Sequence, residues 1–183
     1  MVVSDWRNAL DCGNVVCAIS LDVSGAFDSV NHSVLITRLQ QAGFQDHALE
    51  WLKTYLLNRM QRIKCSDALS DETRLESGVP QGSIIGPCLF NLYMAPLAKL
   101  LESKGVCHHI YTDDVLLYEE FDPKNPDAAH DNLQQALELV DMWMRDNCLL
   151  LNAEKTCAQL FHRKKLLKPK PFNLRGAEIN VQS

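Results

Sequence analysis

The chain has 183 residues, 46% hydrophobic and 22% charged, which suits one domain with a real core and excludes disordered, collagen-like and fibrous classes. Its net charge of -5 excludes a protein that coats nucleic acid through overall basicity; polyanion contacts have to be local, at clusters such as Lys53, Arg59, Arg62 and Lys64 or Arg163, Lys164, Lys165, Lys168 and Lys170. Seven cysteines without a C-x-x-C pair suggest neither a zinc site nor a disulfide framework, and the N-terminus has no secretory pattern, so the expectation is a soluble intracellular protein with reduced thiols, nucleus and cytoplasm undistinguished.

Val15 to Leu21, VVCAISL, is a continuous apolar run rich in β-branched residues and predicts a strand buried on both faces, ending at Asp22. Val34, Leu35, Leu39 and Ala42 recur at helical spacing up to Gly43, and Asp46 is placed to cap a second helix carrying Leu49, Leu52, Tyr55 and Leu56. Arg62 to Cys65 and Thr73 to Glu76 predict two short strands joined by the polar SDALSDE. After the loop SGVPQG, Ser83 can cap a long apolar helix that Pro96 should kink or interrupt and Gly105 should stop. Gly86, Pro87, Asn91, Pro96 and Lys99 break up Ile84 to Leu101, so a membrane span is not expected. HHIYTDDVLLY predicts a β-hairpin, Ala128 to Asn147 an amphipathic helix, Lys155 to Phe161 a strand, and FNLRGAEI a small hairpin turning at Arg175-Gly176. The order is that of an α+β fold, helices on one face of a mostly antiparallel sheet.

Two places invite chemistry. Asp113 and Asp114 stand side by side in an apolar hairpin, and since neighbouring strand residues point to opposite faces, both escape burial only if both occupy the turn. An ordinary Asp-rich turn explains them too. Their repulsion at the edge of a core, however, calls for a cation, and with Asp22 ending another buried strand the three carboxylates would suit a hard divalent ion such as magnesium. The second place is SGVPQGSIIGP, where Gly78, Gly82 and Gly86 around Pro80 and Gln81 leave room for another backbone or a base pair.

LDVSGAFDSVNHSVL, SGVPQGSIIGPCLFNLYMAPL, YTDDVLLY and LLLNAEKTCAQLF resemble, in order, the palm motifs of reverse transcriptases of non-long-terminal-repeat (LINE-type) retrotransposons. The resemblance implies a polymerase palm with a ferredoxin-like or RRM-like antiparallel sheet, fingers and thumb largely missing. It implies one palm domain over residues 1–183, core 10–162, with a basic, Pro-rich segment and small hairpin in 163–183. It also implies an RNA-directed DNA polymerase that adds dNTPs to a primer 3'-hydroxyl on an RNA template, using two magnesium ions, with manganese as a substitute.

By the same resemblance, Asp22 and Asp113 would hold the metals with Asp114 at the periphery, and the Val23 carbonyl would be a further ligand. Lys155 would balance or protonate the departing pyrophosphate. Phe27 would gate the incoming sugar, unless it is simply a core residue, while Gln81, Gly82 and Tyr111 would line the substrate. Thr112 stands where the family usually has Ala. The alternative to an active polymerase is a truncated retroelement relic that binds nucleic acid without turnover, its missing fingers, thumb and endonuclease belonging to a longer chain.

Overall fold

The computed structural model describes residues 2–163 and 169–182; Lys164, Lys165 and Lys168 of the C-terminal basic cluster lie outside them. In chain order the elements are α1 (Val2–Asp11), β1 (Val15–Val23), α2 (His32–Gln41), α3 (Asp46–Leu56), β2 (Met60–Gln61), β3 (Lys64–Cys65), β4 (Ala68–Leu69) and β5 (Thr73–Arg74). They continue with α4 (Gly86–Ser103), β6 (His108–Tyr111), β7 (Asp114–Phe121), α5 (Pro126–Asp146), β8 (Leu151–Phe161), β9 (Phe172–Leu174), β10 (Ala177–Ile179) and β11 (Val181–Gln182). Two compact units emerge, one from the chain up to Ser24 together with Pro96 onward, the other from Gly25–Ala95.

The first unit is built on a five-stranded sheet in the order β11-β8-β1-β7-β6. β1 is central and antiparallel to β7 and β8; β11 adds in parallel at the edge of β8. Val15 to Ile19 are all buried, whereas from Ser20 the strand alternates, Leu21 and Val23 inward, Ser20 exposed and Asp22 half-buried. The change has a cause on each face. α5 lies against β7, presenting Leu133, Leu137, Val140 and Met144, all buried, each contributing about 1.5–3 kcal/mol relative to exposure; its Asn132 donates to Glu119 at 2.9 Å. On the opposite face α1 covers the Val15 end, its Trp6 meeting Tyr118 and Phe161 at ring distances of 5.6 and 4.9 Å. Those two residues pair with Ala18 and Val16, so the Asp22 end of that face is left open. The sequence reading did not include α1.

α5 starts at Pro126, whose fixed φ suits a first helical turn, two residues before the expected start. The last hairpin falls where FNLRGAEI predicted it, Leu174 pairing with Ala177.

In the second unit Asn31 caps α2, its Oδ1 accepting from Val34 N at 3.1 Å. The expected strand pair between residues 62 and 76 is corrected: β2 pairs with β5 and β3 with β4. Ala68-Leu69, inside the segment expected to be linker, is a strand, with Ser66 at φ +54 in its turn. All eight strand residues there are exposed, so no buried face wrote an alternating pattern into the sequence.

α4 begins three residues after Ser83, whose hydroxyl accepts from Gly86 N at 3.1 Å and donates to Pro80 O at 2.7 Å. It runs on through Pro96, where a kink or an interruption was expected; the interruption does not occur. The proline removes one N–H from the ladder, and buried Phe90, Tyr93, Met94, Leu97 and Leu101 along the helix offset that loss. No described helix is long and apolar enough to cross a membrane, and all seven cysteines are free.

Candidate active site

In the β6-β7 hairpin the last pair is Tyr111 with Asp114, so the turn is Thr112-Asp113. The expectation that both aspartates occupy the turn is therefore corrected: Asp114 is the first residue of β7 and exposed, and Asp113 alone lies in the turn, half-buried. Thr112 takes φ +53 while Asp113 does not share the positive φ, the pattern of a two-residue turn that normally carries Gly first. A β-branched residue is disfavoured there. Its hydroxyl lies 2.7 Å from Tyr111 O and 2.9 Å from Asp113 Oδ1, holding the turn and one oxygen of the carboxylate.

β1 and β7 pair as far as Leu21 with Val115; one step further along the same register, Asp22 faces Asp114. Both lie on the open face with Ser20 and Leu116, joined there by Tyr111, 71% exposed. Like charges on neighbouring strands repel. The cation that answers them is Lys155, whose Nζ is 3.7 Å from Asp22 Oδ2, with side chains 69% and 36% exposed; an exposed pair of this kind contributes well under about 1 kcal/mol.

What brings Lys155 there is a bulge. β8 pairs Cys157 with Ser20 and Asn152 with Asp22, so Ala153 to Thr156 stand opposite Leu21 alone. The extra residues loop out and are tied by Asn152, whose Oδ1 accepts from Glu154 N at 3.1 Å and Lys155 N at 3.4 Å, and by the buried Thr156, whose hydroxyl donates to Asn152 O at 2.7 Å. Bulges re-aim side chains in this way. Asn152 and Thr156 were missed in the sequence; the available signal was an Asn two residues before a polar pair, which favours a side-chain-to-backbone turn.

Phe27, Gln81 and Gly82 belong to the other unit. Phe27 stacks on Phe90 at 4.9 Å. Gln81 and Gly82 are exposed, and Gly82 has φ +76 with no atom within 4 Å of a Cβ built on it. The close backbone approach expected of this loop is made by Gly78, where a Cβ would come within 3.0 Å of Asp28 Cα and O, and by Gly86, where it would stand 3.1 Å from Pro80 O. Buried His32 holds the loop from below, its Nε2 2.7 Å from Gly78 O.

On the opposite face of the sheet, desolvation and the facing Glu119 push the Cys17 thiol up to about 12, and Glu119 is itself raised by burial against the pull of its bond from Asn132.

The donor set is one of hard oxygens: carboxylates at the ends of adjacent strands, a strand-end carbonyl at Val23, and an open face. Among the described residues no three of His, Cys, Asp or Glu are gathered about one point. That still fits magnesium, which is normally held by one or two carboxylates with waters and substrate phosphates completing its shell.

A central strand beside an aspartate-bearing hairpin, in a mixed sheet packed with helices, is a polymerase palm-like fold. Telomerase from Candida albicans, solved with a fragment of telomeric RNA, superposes with a TM-score of 0.63 at 15% identity, covering 97% of this chain and 32% of that one. Apo telomerase from Candida tropicalis, truncated of its C-terminal domain, gives 0.61 at 14%, over 98% and 37%. At such identities the likeness is one of fold. The family model for reverse transcriptase (RNA-dependent DNA polymerase) matches residues 5–179, and the chain belongs to that family, whose members use divalent metal ions.

Among its relatives are polymerases of non-long-terminal-repeat retrotransposons. The RNA-directed DNA polymerase from mobile element jockey of Drosophila melanogaster is 27% identical over 164 residues, 87% of this chain and 18% of that protein. The retrovirus-related Pol polyprotein of the type-1 retrotransposable element R2 from Popillia japonica is 23% identical over 158 residues, 81% of this chain and 25% of its own length. The chain thus spans a quarter or less of these relatives.

Proposed function

We propose that this chain is the palm of an RNA-directed DNA polymerase, adding dNTPs to a primer 3'-hydroxyl opposite an RNA template. The observation that carries the reading is the open end of the sheet, where β1 and β7 bring Asp22 and Asp114 to one face, Asp113 occupies the adjoining turn, and Lys155 stands 3.7 Å from Asp22. Asp22 and Asp113 would hold two magnesium ions, with the Val23 carbonyl as a further ligand and Asp114 at the periphery; manganese would serve as a substitute. What such ions supply is a lowered pKa at the primer hydroxyl and charge neutralisation at the triphosphate and its pyrophosphate leaving group.

The chain's own residues do the rest. Lys155, exposed and drawn to the carboxylates by the bulge, places a positive charge and a transferable proton where the leaving group acquires negative charge. Tyr111 presents its ring beside the aspartates, towards the primer end. Phe27 would exclude a ribose 2'-hydroxyl, and Gln81 and Gly82, both exposed, would lie beneath the nascent base pair.

Primer extension on a poly-ribonucleotide template with dNTPs and magnesium tests this. Wild type is expected to extend, and Asp22→Asn and Asp113→Asn to lose at least about 10²-fold, since metal assistance contributes several kcal/mol. Absence of extension by the wild type at high concentration overturns the activity; extension untouched by Asp113→Asn overturns the site.

A further inference from the structure

We propose that Arg175, tied to Asp141, is a positioning residue that fixes the root of the β8 bulge and so sets where Lys155 stands relative to Asp22; what that position is for rests on the polymerase reading above.

The first observation is an unfavourable choice of residue. Arg175 and Gly176 form the two-residue turn between β9 and β10 with φ +52 and +87, a type I' geometry that favours Asn or Gly first. An arginine there strains the backbone, so its side chain has to return something. It does so in two directions. The guanidinium donates to the carbonyl of Leu151, and its Nε lies 3.4 Å from Asp141 Oδ1. Asp141 is only 4% exposed on α5, its other oxygen 3.2 Å from Arg145 Nε. Oδ1 has no hydrogen-bond partner of its own, so Arg175 supplies the facing charge, and a buried carboxylate that lost it would be poorly compensated.

The second observation is what Leu151 does. It is the first residue of β8, pairs with Val23, and directly precedes Asn152, the residue that ties the bulge. The preceding carbonyl, Leu150 O, accepts from Ser24 N at 2.8 Å. Arg175 therefore grips β8 where the extra residues begin, and opposite the end of β1.

The third is that the grip comes from a fixed bracket. Gln134 of α5 bonds Asn173 at both its N and its O, at 2.9 and 3.0 Å, Asn173 Oδ1 accepts from Gly176 N at 2.9 Å, and Phe172 is fully buried. Asp141 and Gln134 sit two turns apart on one helix, so both ends of the turn are referred to α5.

The test uses the 183-residue chain with Arg175→Leu, Arg175→Lys and Asp141→Asn. In Arg175→Leu, amide exchange at Ser24 should quicken by at least about 10-fold and the 1H–15N signals of Glu154 and Lys155 should move, while β6-β7 amides stay within about twofold. In primer extension kcat should fall about 10-fold with KM for dNTP unchanged, and Arg175→Lys, which keeps the charge but not the fork, should recover part of it. A merely structural role would lower the melting temperature without that kcat-against-KM split. Unchanged exchange at Ser24 and unmoved Lys155 signals overturn the proposal, as does loosening spread equally over β6-β7. If Arg175→Leu does not fold, Arg175→Lys and Asp141→Asn are read by the same criteria. If the wild type extends no primer, the polymerase reading fails, and the exchange and shift data alone decide the positioning claim.

Discussion

Substituting Gly78 by alanine should cost far more than the same change at Gly82, four residues on in the same motif. Gly78 has φ +93, a backbone conformation that costs an L-residue about 1–2 kcal/mol. Its new Cβ would stand 3.0 Å from Asp28 Cα and O and 3.1 Å from Phe27 O, all backbone atoms. They cannot retreat freely, because the loop is bonded to that segment by Gly78 N to Val30 O and Val79 N to Phe27 O, each at 2.8 Å. Loosening those two bonds costs about 1 kcal/mol each. The sum, about 3–4 kcal/mol, corresponds to roughly 6–15 °C in melting temperature for a chain of this size. At Gly82 the φ is +76 but nothing lies within 4 Å, so only the same backbone term of about 1–2 kcal/mol remains, or roughly 2–8 °C. Thermal unfolding followed by circular dichroism measures both. If the two variants melt together, or if Gly78→Ala melts within about 2 °C of the wild type, the close-approach argument is wrong.

Cys17 should give the fold an alkaline limit. Its thiol is raised from 9.0 to about 12, so the stability from keeping it neutral is whole below pH 9 and is lost as pH rises towards 12 while the unfolded chain ionises. Between pH 9 and 10.5 that is about 2 kcal/mol at 1.36 kcal/mol per unit, and the difference between wild type and Cys17→Ala in urea titrations over that range isolates it; parallel curves would refute it. Magnesium at millimolar concentration should raise the melting temperature, since an ion bound only by the folded state stabilises it. Asp22→Asn should abolish the rise, and a rise that survives that change would place the ion elsewhere. Lys155→Ala should shift stability by less than about 1 kcal/mol, its ion pair being exposed, yet lower the extension rate by about 10²-fold or more; a rate loss matched by an equal stability loss would make the lysine structural.

The parts of the fold that burial writes into sequence were legible. VVCAISL announced β1 because its first residues are covered on both faces, and the stripe from Leu133 to Trp143 announced α5. Where burial is absent the pattern falls silent, as in the exposed two-residue ladders between Met60 and Arg74. The hairpin turn was misplaced by one residue for a conformational reason. Threonine is a poor occupant of positive φ, and only the hydroxyl contacts of Thr112 make it acceptable. Asp22, Asp113, Asp114 and Lys155 could be picked out as candidates, but the bulge that carries Lys155 across depends on Asn152 bonding locally to backbone. Arg175 and Asp141 are farther still from sight, since nothing in the chain pairs a turn arginine with an aspartate on a distant helix until the fold has closed.

The order of strands in the sheet bears on how the protein is made. β1 leaves the ribosome before both its neighbours, β7 and β8, which begin at Asp114 and at Leu151. At about 5–20 residues per second, the strand that carries Asp22 waits on the order of 5–20 s for its first partner, and longer for its second. During that time VVCAISL, apolar and unpaired, is open to association with other nascent chains. The synthesis rate over residues 24–114 and the supply of holdase chaperones therefore bear on soluble yield.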